Sequence, residues 1–175
     1  NRAVKGQDLD PLSIPVELQN ALEALYGHYK TTFDLWQQAG ISAPPCFIVV
    51  CQNTSISKLV FEYISGFERQ DEDESTVTTQ GRLELFRNFD SNLNRLGKPT
   101  TLLIDSVQLE SGEAIDKGFR KLYEPEIERF RRDIIERTGD RKQAEKISDV
   151  DLIREVMNTV GKEDQLGEKI RCVVS

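Results

Sequence analysis

The sequence contains few of the residues that most often carry catalysis or bind metals. Its 175 residues include one histidine, His28, and three cysteines, Cys46, Cys51 and Cys172. One imidazole and an odd number of thiols at unrelated spacings exclude the common zinc patterns and a disulfide framework. We expect His28 to be a surface or half-buried residue of a helix, and the cysteines to be buried, reduced thiols.

The sequence also lacks an excess of positive charge and any long apolar run. It has 30 acidic and 23 basic residues and a net charge of −7. This bulk charge does not favour binding to nucleic acid or to an anionic membrane. A local basic site is still compatible with these totals. No segment approaches the roughly 20 apolar residues that cross a bilayer, and no signal peptide is recognisable. We therefore expect a cytoplasmic protein without a membrane partner.

The length and the two ends predict a piece of a larger protein. With 38% apolar and 30% charged residues, the chain has the composition of one globular domain. It begins at Asn1 rather than at a methionine, and it stops at Ser175, directly after the apolar run 170–174. We interpret these ends as those of a fragment excised from a longer chain.

Apolar periodicity predicts an α/β fold with a parallel sheet. The segment 13–40 is predicted to be an amphipathic helix that begins near Pro15 and ends at Gly40. Its apolar stripe consists of Leu18, Leu22, Leu25, Tyr29, Phe33 and Trp36. The apolar runs 46–51, 101–105 and 170–174 predict fully buried strands, and a helix that ends at Gly66 follows the first. Strands that alternate with helices are typical of a parallel α/β sheet.

The remaining segments are polar or mixed. Residues 1–12 are predicted to be a linker, and 68–80 a solvated loop with an acidic cluster, whereas 81–96 suit either a helix or a strand. Residues 113–161 are predicted to be helical, with new helices beginning near Pro125 and at Ser148 or Asp149. The mixed charges over 120–146 are typical of a solvated helix face.

Two polar turns follow predicted strands, at the edge where parallel sheets bind ligands. The first, from Gln52 to Ser57, places small hydroxyl and amide side chains at a helix N-terminus, where they and the backbone N–H groups suit a phosphate group. The alternative is that Ser55 or Ser57 only caps that helix. The second turn begins at Asp105.

The motifs of common enzymes are missing. No phosphate-binding loop of the Walker A type is present, and the acidic run 71–74 does not follow an apolar strand. Cys51 lies at a strand-to-helix turn, as a phosphatase nucleophile would, but the arginine needed six residues later is replaced by Ser57. Asp105 and Glu110 lack the following E-x-K strand of a metal nuclease. We assign no catalytic or metal-binding residue, and a stand-alone α/β hydrolase that uses Cys51 or Asp105 stays an alternative.

Four stretches of the sequence resemble one protein family. Residues 47–66, FIVVCQNTSISKLVFEYISG, are similar to motif IV of superfamily 2 helicases, which opens their second RecA-like domain. Residues 101–119, 127–140 and 151–175 resemble the DEAD/DEAH-type helicase (Res) subunits of type III restriction enzymes. The resemblance covers residues 13–175, and the chain stops just before the position of motif V.

This resemblance implies a fragment of a DNA motor. Residues 41–175 would form part of a second RecA-like domain, with a helical insertion at about 113–161, and the helix over 13–40 would join it to a missing first motor domain. Walker A, Walker B, motif V and motif VI are absent from the sequence, so the fragment is expected to be catalytically inactive and to hold no cofactor. ATP and Mg²⁺ would bind to the parent protein.

The resemblance also implies DNA as the main partner, because the turn after the first strand of this domain contacts the DNA backbone in superfamily 2 motors. The implied DNA-binding residues in and beside this turn are Gln52, Asn53, Thr54, Ser55, Ser57 and Lys58, and those in the turn at the end of the adjacent strand are Asp105 and Ser106. Further partners would be the missing first motor domain and C-terminal nuclease region of the same chain, and a methyltransferase (Mod) subunit. In an alternative from another class, the helical region is a module that docks another subunit.

Overall fold

Three short parallel strands form the centre of the fold. The computed structural model describes residues 10–70, 75–104 and 124–175. Its strands are β1 (Phe47–Val49), β2 (Gly66–Gln70), β3 (Thr76–Gln80), β4 (Thr101–Leu103) and β5 (Cys172–Val174). β5 lies between β1 and β4 and pairs with both in parallel, so that Cys172 is opposite Phe47 on one side and Thr101 on the other. The predicted parallel α/β sheet is confirmed.

Helices cover both faces of this sheet. They are α1 (Val16–Gln38), α2 (Thr54–Ser65), α3 (Glu124–Thr138), α4 (Arg141–Glu145) and α5 (Asp149–Thr159). One face packs against α1 and α2, and the other packs against α3, α4 and α5. Within the described residues, no helix is long and apolar enough to cross a membrane.

α1 forms where the apolar stripe predicts a helix, but the prediction that Leu25 belongs to the buried stripe is wrong. Leu22 and Tyr29 are buried, whereas Leu25 is 53% exposed. Tyr26 packs inward instead: its ring centroid lies 5.3 Å from that of Phe86, and its hydroxyl accepts a backbone hydrogen bond. Residues 22, 26 and 29 follow helical spacing as well as residues 22, 25 and 29 do, so the pattern could not decide between Leu25 and Tyr26.

The helices of residues 124–159 cover the second face. Ile127 of α3 and Leu152 of α5 are buried in one cluster with Val173 of β5. α5 begins with a capping box, in which Ser148 Oγ accepts the Asp151 N–H at 3.2 Å and the Asp151 carboxylate accepts the Ser148 N–H at 3.1 Å. The predicted helix start at this point is confirmed. Residues 113–123 of the predicted helical region lie outside the described residues.

Residues 66–80 contain an antiparallel hairpin, so the predicted solvated loop over 68–80 is wrong where the structure describes it. β2 and β3 pair with Gly66 opposite Gln80 and Glu68 opposite Thr78. The β-branched run at 76–79 favours a strand, and this preference outweighs the polarity that suggested a loop. The acidic cluster at 71–74 lies outside the described residues.

Residues 81–96 form neither a long helix nor a strand. One 3-10 turn, Glu84–Phe86, buries the Phe86 ring in the core. Asn88 then joins the loop to β4: its side chain accepts the N–H groups of Thr100 and Thr101 at 2.9 and 3.0 Å and donates to the Thr101 carbonyl at 2.9 Å. A buried amide with these bonds satisfied holds the loop against the start of the strand.

β1 is not the fully buried strand that its apolar run predicts. Ile48 is 62% exposed and Val50 is 80% exposed. β1 is an outer strand of the sheet, and the cluster beneath α3, α4 and α5 includes Cys46 but neither Ile48 nor Val50. Cys51 packs in the cluster on the opposite face, as expected from its odd spacing from Cys46.

Candidate nucleic-acid interface

The predicted phosphate-binding turn lies at the carboxyl end of β1. Gln52 and Asn53, both exposed, connect this strand to α2. The Cys51 N–H donates to the Ser175 carbonyl at 2.6 Å, and the Ser175 N–H donates to the Val49 carbonyl at 2.9 Å. The turn therefore lies beside the residue that follows the central strand, at the edge where parallel α/β sheets bind ligands.

Asn53 is the N-cap of α2. Its side-chain oxygen accepts the Ile56 N–H at 3.0 Å, and its backbone carbonyl accepts the Ser57 N–H at 3.0 Å. The alternative in which Ser55 or Ser57 caps the helix is therefore wrong. Because its oxygen is used within the turn, Asn53 would offer its side-chain NH₂ group to a ligand.

Ser57 faces the interior of the protein. It is 1% exposed, and its hydroxyl donates to the Thr54 carbonyl at 3.0 Å. A contact between this hydroxyl and a phosphate group would require the start of α2 to open. The geometry thus gives no support to the prediction that Ser57 contacts a phosphate group.

Thr54, Ser55 and Lys58 form the exposed part of the turn. Thr54 and Ser55 are the first two residues of α2, where backbone N–H groups have no carbonyl of a preceding helical turn to bond. Lys58 lies one turn further along, with a side chain that is 69% exposed and an Nζ atom 3.8 Å from the Glu62 carboxylate. Amides, hydroxyls and an ammonium group at the positive end of a helix dipole together supply donors for a phosphate group.

The first charged residues after the turn are Lys58 and Glu62. The sequence has no acidic residue from 35 to 61, so the turn itself carries no negative charge. The ion pair between Lys58 and Glu62 is exposed on the Lys58 side, and such pairs contribute only about 0–1 kcal/mol. The ammonium group can therefore turn from Glu62 towards a phosphate group at small cost.

The second predicted turn begins with Asp105 and Ser106, which lie outside the described residues. The Ile104 N–H, directly before them, donates to the Val174 carbonyl at 2.8 Å, so β4 and β5 end at the same edge of the sheet. Ser175 is exposed at this edge, and sequence reasoning did not assign it. Its position follows from the strand order β1, β5, β4, which three short apolar runs do not reveal.

The alternative nucleophile, Cys51, is not activated. Burial raises the pKa of its thiol, and a thiol held in its protonated form is a poor nucleophile. All three cysteines are free, but only Cys172 is buried; Cys46 and Cys51 are half-buried, so the prediction of burial is wrong for these two. His28 lies exposed on α1. Over residues 10–70, 75–104 and 124–175, no group of three or more histidine, cysteine or acidic side chains is arranged to hold a metal ion.

The chain matches no protein-family model, no curated protein and no solved structure.

Proposed function

We propose that this chain is part of the motor subunit of an ATP-dependent restriction endonuclease of the type III kind, and that its turn at 52–58 contacts the DNA backbone. The observation that carries the proposal is the exposed start of α2 at the carboxyl end of β1, where Thr54 and Ser55 lie within one helical turn of Lys58. These donors fit phosphate oxygens and do not read base edges. Such contacts suit a protein that moves along DNA of any sequence.

The acidic net charge is compatible with this proposal. A protein that holds DNA through a broad basic surface needs many lysines and arginines, whereas this chain has an excess of acidic residues. DNA contacts made by backbone amides, two hydroxyls and one ammonium group do not require an excess of basic residues. We expect the affinity of the chain for DNA to be low and to decrease with salt.

The proposal also places the chain in a RecA-like lobe of a larger motor. Parallel strands in the order β1, β5, β4 with helices on both faces are compatible with such a lobe, and the motif IV resemblance of 47–66 supports it. ATP and Mg²⁺ would bind to the parent protein, which would also contribute the first motor domain and a nuclease region. A methyltransferase (Mod) subunit would be its partner, in the cytoplasm.

A gel-shift titration with single-stranded DNA tests the role of the turn. The double variant Thr54→Ala/Ser55→Ala should bind about a hundredfold more weakly or worse, because it removes two hydrogen bonds to a charged group, which contribute about 1.5–3 kcal/mol each. The matched control is Thr31→Ala/Thr32→Ala, which removes two exposed hydroxyls that bond within α1. Equal affinity of the wild type and the Thr54→Ala/Ser55→Ala variant would remove the proposed contact.

Two further outcomes separate the alternatives. If the wild-type chain does not bind DNA at low salt, the helical layer of α3, α4 and α5 as a docking module for another subunit becomes the better proposal. We also expect no ATP hydrolysis by the purified chain. ATP turnover that persists through repeated purification would show that the chain is a complete enzyme.

A further inference from the structure

A cavity at the amino end of the parallel sheet is lined by two arginine side chains. Arg171 directly precedes β5, and Arg87 lies in the loop that leads to β4. The cavity has a volume of about 340 Å³, and small-molecule sites commonly have volumes of about 300–1,000 Å³. The turn at 52–58 follows the carboxyl end of β1, so the cavity and the proposed DNA contact lie at opposite ends of the sheet.

One residue ties the backbones of the two arginines together. The Thr100 hydroxyl donates to the Arg87 carbonyl at 2.9 Å, and the Arg171 N–H donates to the Thr100 carbonyl at 2.7 Å. Each guanidinium group is also anchored: Arg87 Nε donates to the Gly81 carbonyl at 2.7 Å, and a terminal nitrogen of Arg171 donates to the Leu85 carbonyl at 3.2 Å. Two positive charges are thus held in the wall of one cavity before a ligand binds, which reduces the entropy lost on binding.

Neither arginine has an acidic partner among the described residues. Both are half-buried, and neither guanidinium group lies within 4.0 Å of a carboxylate oxygen in this part of the chain. A shortage of carboxylates is not the reason, since the sequence has 30 acidic and only 23 basic residues. Because a guanidinium group has five N–H groups and each of these two uses one within the protein, most of their donors are left for a ligand.

The cavity lies away from the places where the described chain is interrupted or stops. Its wall includes Gln80, which pairs with Gly66 at one end of the hairpin, whereas residues 71–74 follow Gln70 at the other end. Ile104 and Ser175 follow the carboxyl ends of β4 and β5, at the far end of the sheet. α3 begins on the opposite face of the sheet from the loop that contains Arg87. The shape and charge of the cavity are therefore set by described residues.

The two guanidinium groups favour a doubly charged anion over a singly charged one. A phosphate monoester carries a charge of about −1.5 to −2 at about pH 7 and has three strong acceptor oxygens, whereas a carboxylate carries one charge on two oxygens. The planar fork of N–H groups on an arginine can bind two oxygens of the same phosphate group. The phosphate groups of a DNA backbone are diesters with a single charge each, so they match the pair of arginines less well.

The other side chains of the wall indicate a small ligand with hydroxyl groups. Leu85, Phe89 and Leu96 provide apolar surface, while the exposed Ser91 and Glu84 provide a hydroxyl and a carboxylate. An ionised carboxylate only accepts hydrogen bonds. Glu84 therefore favours a ligand that donates hydroxyl hydrogens, and it disfavours a second anionic group on the same ligand.

We propose that this cavity binds a small phosphate monoester with hydroxyl groups, of the chemical class of the sugar phosphates and polyol phosphates. Arg87 and Arg171 would bind the phosphate group, and Glu84 and Ser91 would bind the hydroxyl groups. The proposal is independent of the proposed function, because the DNA contact lies at the other end of the sheet and shares no residue with the cavity.

Isothermal titration calorimetry with glycerol phosphate tests this site. The wild type should bind glycerol phosphate at least about tenfold more tightly than it binds glycerol or acetate. Inorganic phosphate should compete but bind less tightly, because it has no hydroxylated body to contact Glu84. Arg87→Gln and Arg171→Gln should each weaken the binding of glycerol phosphate by about tenfold or more, since each removes hydrogen bonds between charged groups.

A matched control and a second variant guard against effects on folding. Arg82→Gln changes an exposed arginine that does not line the cavity, and it should bind glycerol phosphate as the wild type does. Arg171→Gln also loses the contact of the guanidinium group with the Phe33 ring, at 4.9 Å. Arg87→Lys keeps the charge and loses only the planar fork, so it should bind with intermediate affinity. Circular dichroism verifies that each variant is folded.

Two further arms separate the cavity from the proposed DNA contact. Thr54→Ala/Ser55→Ala should bind glycerol phosphate as tightly as the wild type does, and Arg87→Gln/Arg171→Gln should leave the affinity for single-stranded DNA unchanged. A chain that binds glycerol phosphate but no DNA would refute the proposed function and support this site.

Four outcomes would overturn the proposal. They are undetectable binding of glycerol phosphate, acetate or inorganic phosphate that binds as tightly, arginine variants that bind glycerol phosphate as the wild type does, and loss of this binding in Thr54→Ala/Ser55→Ala. Weaker DNA binding by Arg87→Gln/Arg171→Gln would also overturn it, because the cavity would then belong to the path of the DNA.

Discussion

The Cys51 N–H donates a 2.6 Å hydrogen bond to the Ser175 carbonyl, which joins the start of the polar turn to the residue after the central strand. On its other side the turn is fixed by Asn53, whose side chain caps α2. The backbone N–H groups of Thr54 and Ser55 are thus held between the sheet and the helix. Because the protein backbone of this turn is fixed at both ends, it loses little conformational entropy when a ligand binds. This property suits repeated contacts with the phosphate groups of a DNA backbone, which are chemically alike.

Lys58→Gln should weaken DNA binding and reduce its salt dependence. A lysine that neutralises one phosphate releases counterions, so its removal should lower the slope of log K against log salt by about 0.7 for single-stranded DNA. Loss of the ion pair between the exposed Lys58 and the half-buried Glu62 should cost about 1 kcal/mol or less in the free energy of unfolding. Lys30→Gln, at an exposed lysine of α1, is the control and should leave the slope unchanged. An identical slope for Lys58→Gln and the wild type would exclude Lys58 from the contact.

Substitutions of Asn53 should separate helix capping from DNA binding. Asn53→Ala removes the bond to the Ile56 N–H and should lower the free energy of unfolding by about 1 kcal/mol in urea titrations. Asn53→Asp keeps the cap and adds a favourable charge at the helix N-terminus, so stability should be retained. The same carboxylate repels phosphate, so DNA affinity in gel shifts should fall. If Asn53→Asp binds DNA as tightly as the wild type does, the phosphate group does not lie at this turn.

The sequence is sufficient to predict the strand, turn and helix at this site, and its periodicity also indicates the direction of Ser57. Residues 57, 60 and 64 follow helical spacing, so Ser57 shares the inner face of α2 with Val60 and Ile64, both of which are buried. That periodicity was present in the sequence and would have predicted an inward hydroxyl. The cap at Asn53 was likewise readable, because asparagine is among the most favoured N-cap residues.

Other features depended on tertiary neighbours and could not be predicted locally. An apolar run such as 46–51 indicates a strand but does not say whether another element covers both of its faces, so the exposure of Ile48 and Val50 was missed. The choice between Leu25 and Tyr26 on α1 was decided by the position of Phe86, a residue 60 positions later in the sequence than Tyr26. The three apolar runs indicate a parallel sheet, but they do not indicate that β5 lies in its centre, between β1 and β4.

The free energy of unfolding should fall at alkaline pH. Burial raises the pKa of the Cys46 thiol from its ordinary value of 9.0 to about 11, and it also raises the pKa values of Tyr29 and Cys172. Between these two values the unfolded chain loses the Cys46 proton while the native state retains it, so stability decreases as pH rises through this window and is unaffected by Cys46 below it. Urea titrations under reducing conditions should show a shallower decrease for Cys46→Ala than for the wild type. An unchanged pH dependence would mean that Cys46 does not contribute.

Two glycines should respond to alanine in opposite directions. A Cβ atom on Gly81 would overlap the Ile64 carbonyl oxygen and lie 2.7 Å from the Gly66 nitrogen, where the chain leaving β3 passes the end of α2. The backbone is held on both sides of this contact, by the pairing of Gly66 with Gln80 and by a 2.9 Å bond from the Arg82 N–H to the Tyr63 carbonyl.

Gly81→Ala should therefore lower the free energy of unfolding by about 1–3 kcal/mol or more, as overpacking of a constrained site does. Gly27, within α1, has no atom within 4 Å of the added methyl group, so Gly27→Ala should raise stability by about 0.5–1 kcal/mol through its higher helix propensity. Urea titrations of both variants measure these changes against the same wild type. A Gly81→Ala protein as stable as the wild type would contradict the close packing of the hairpin against α2.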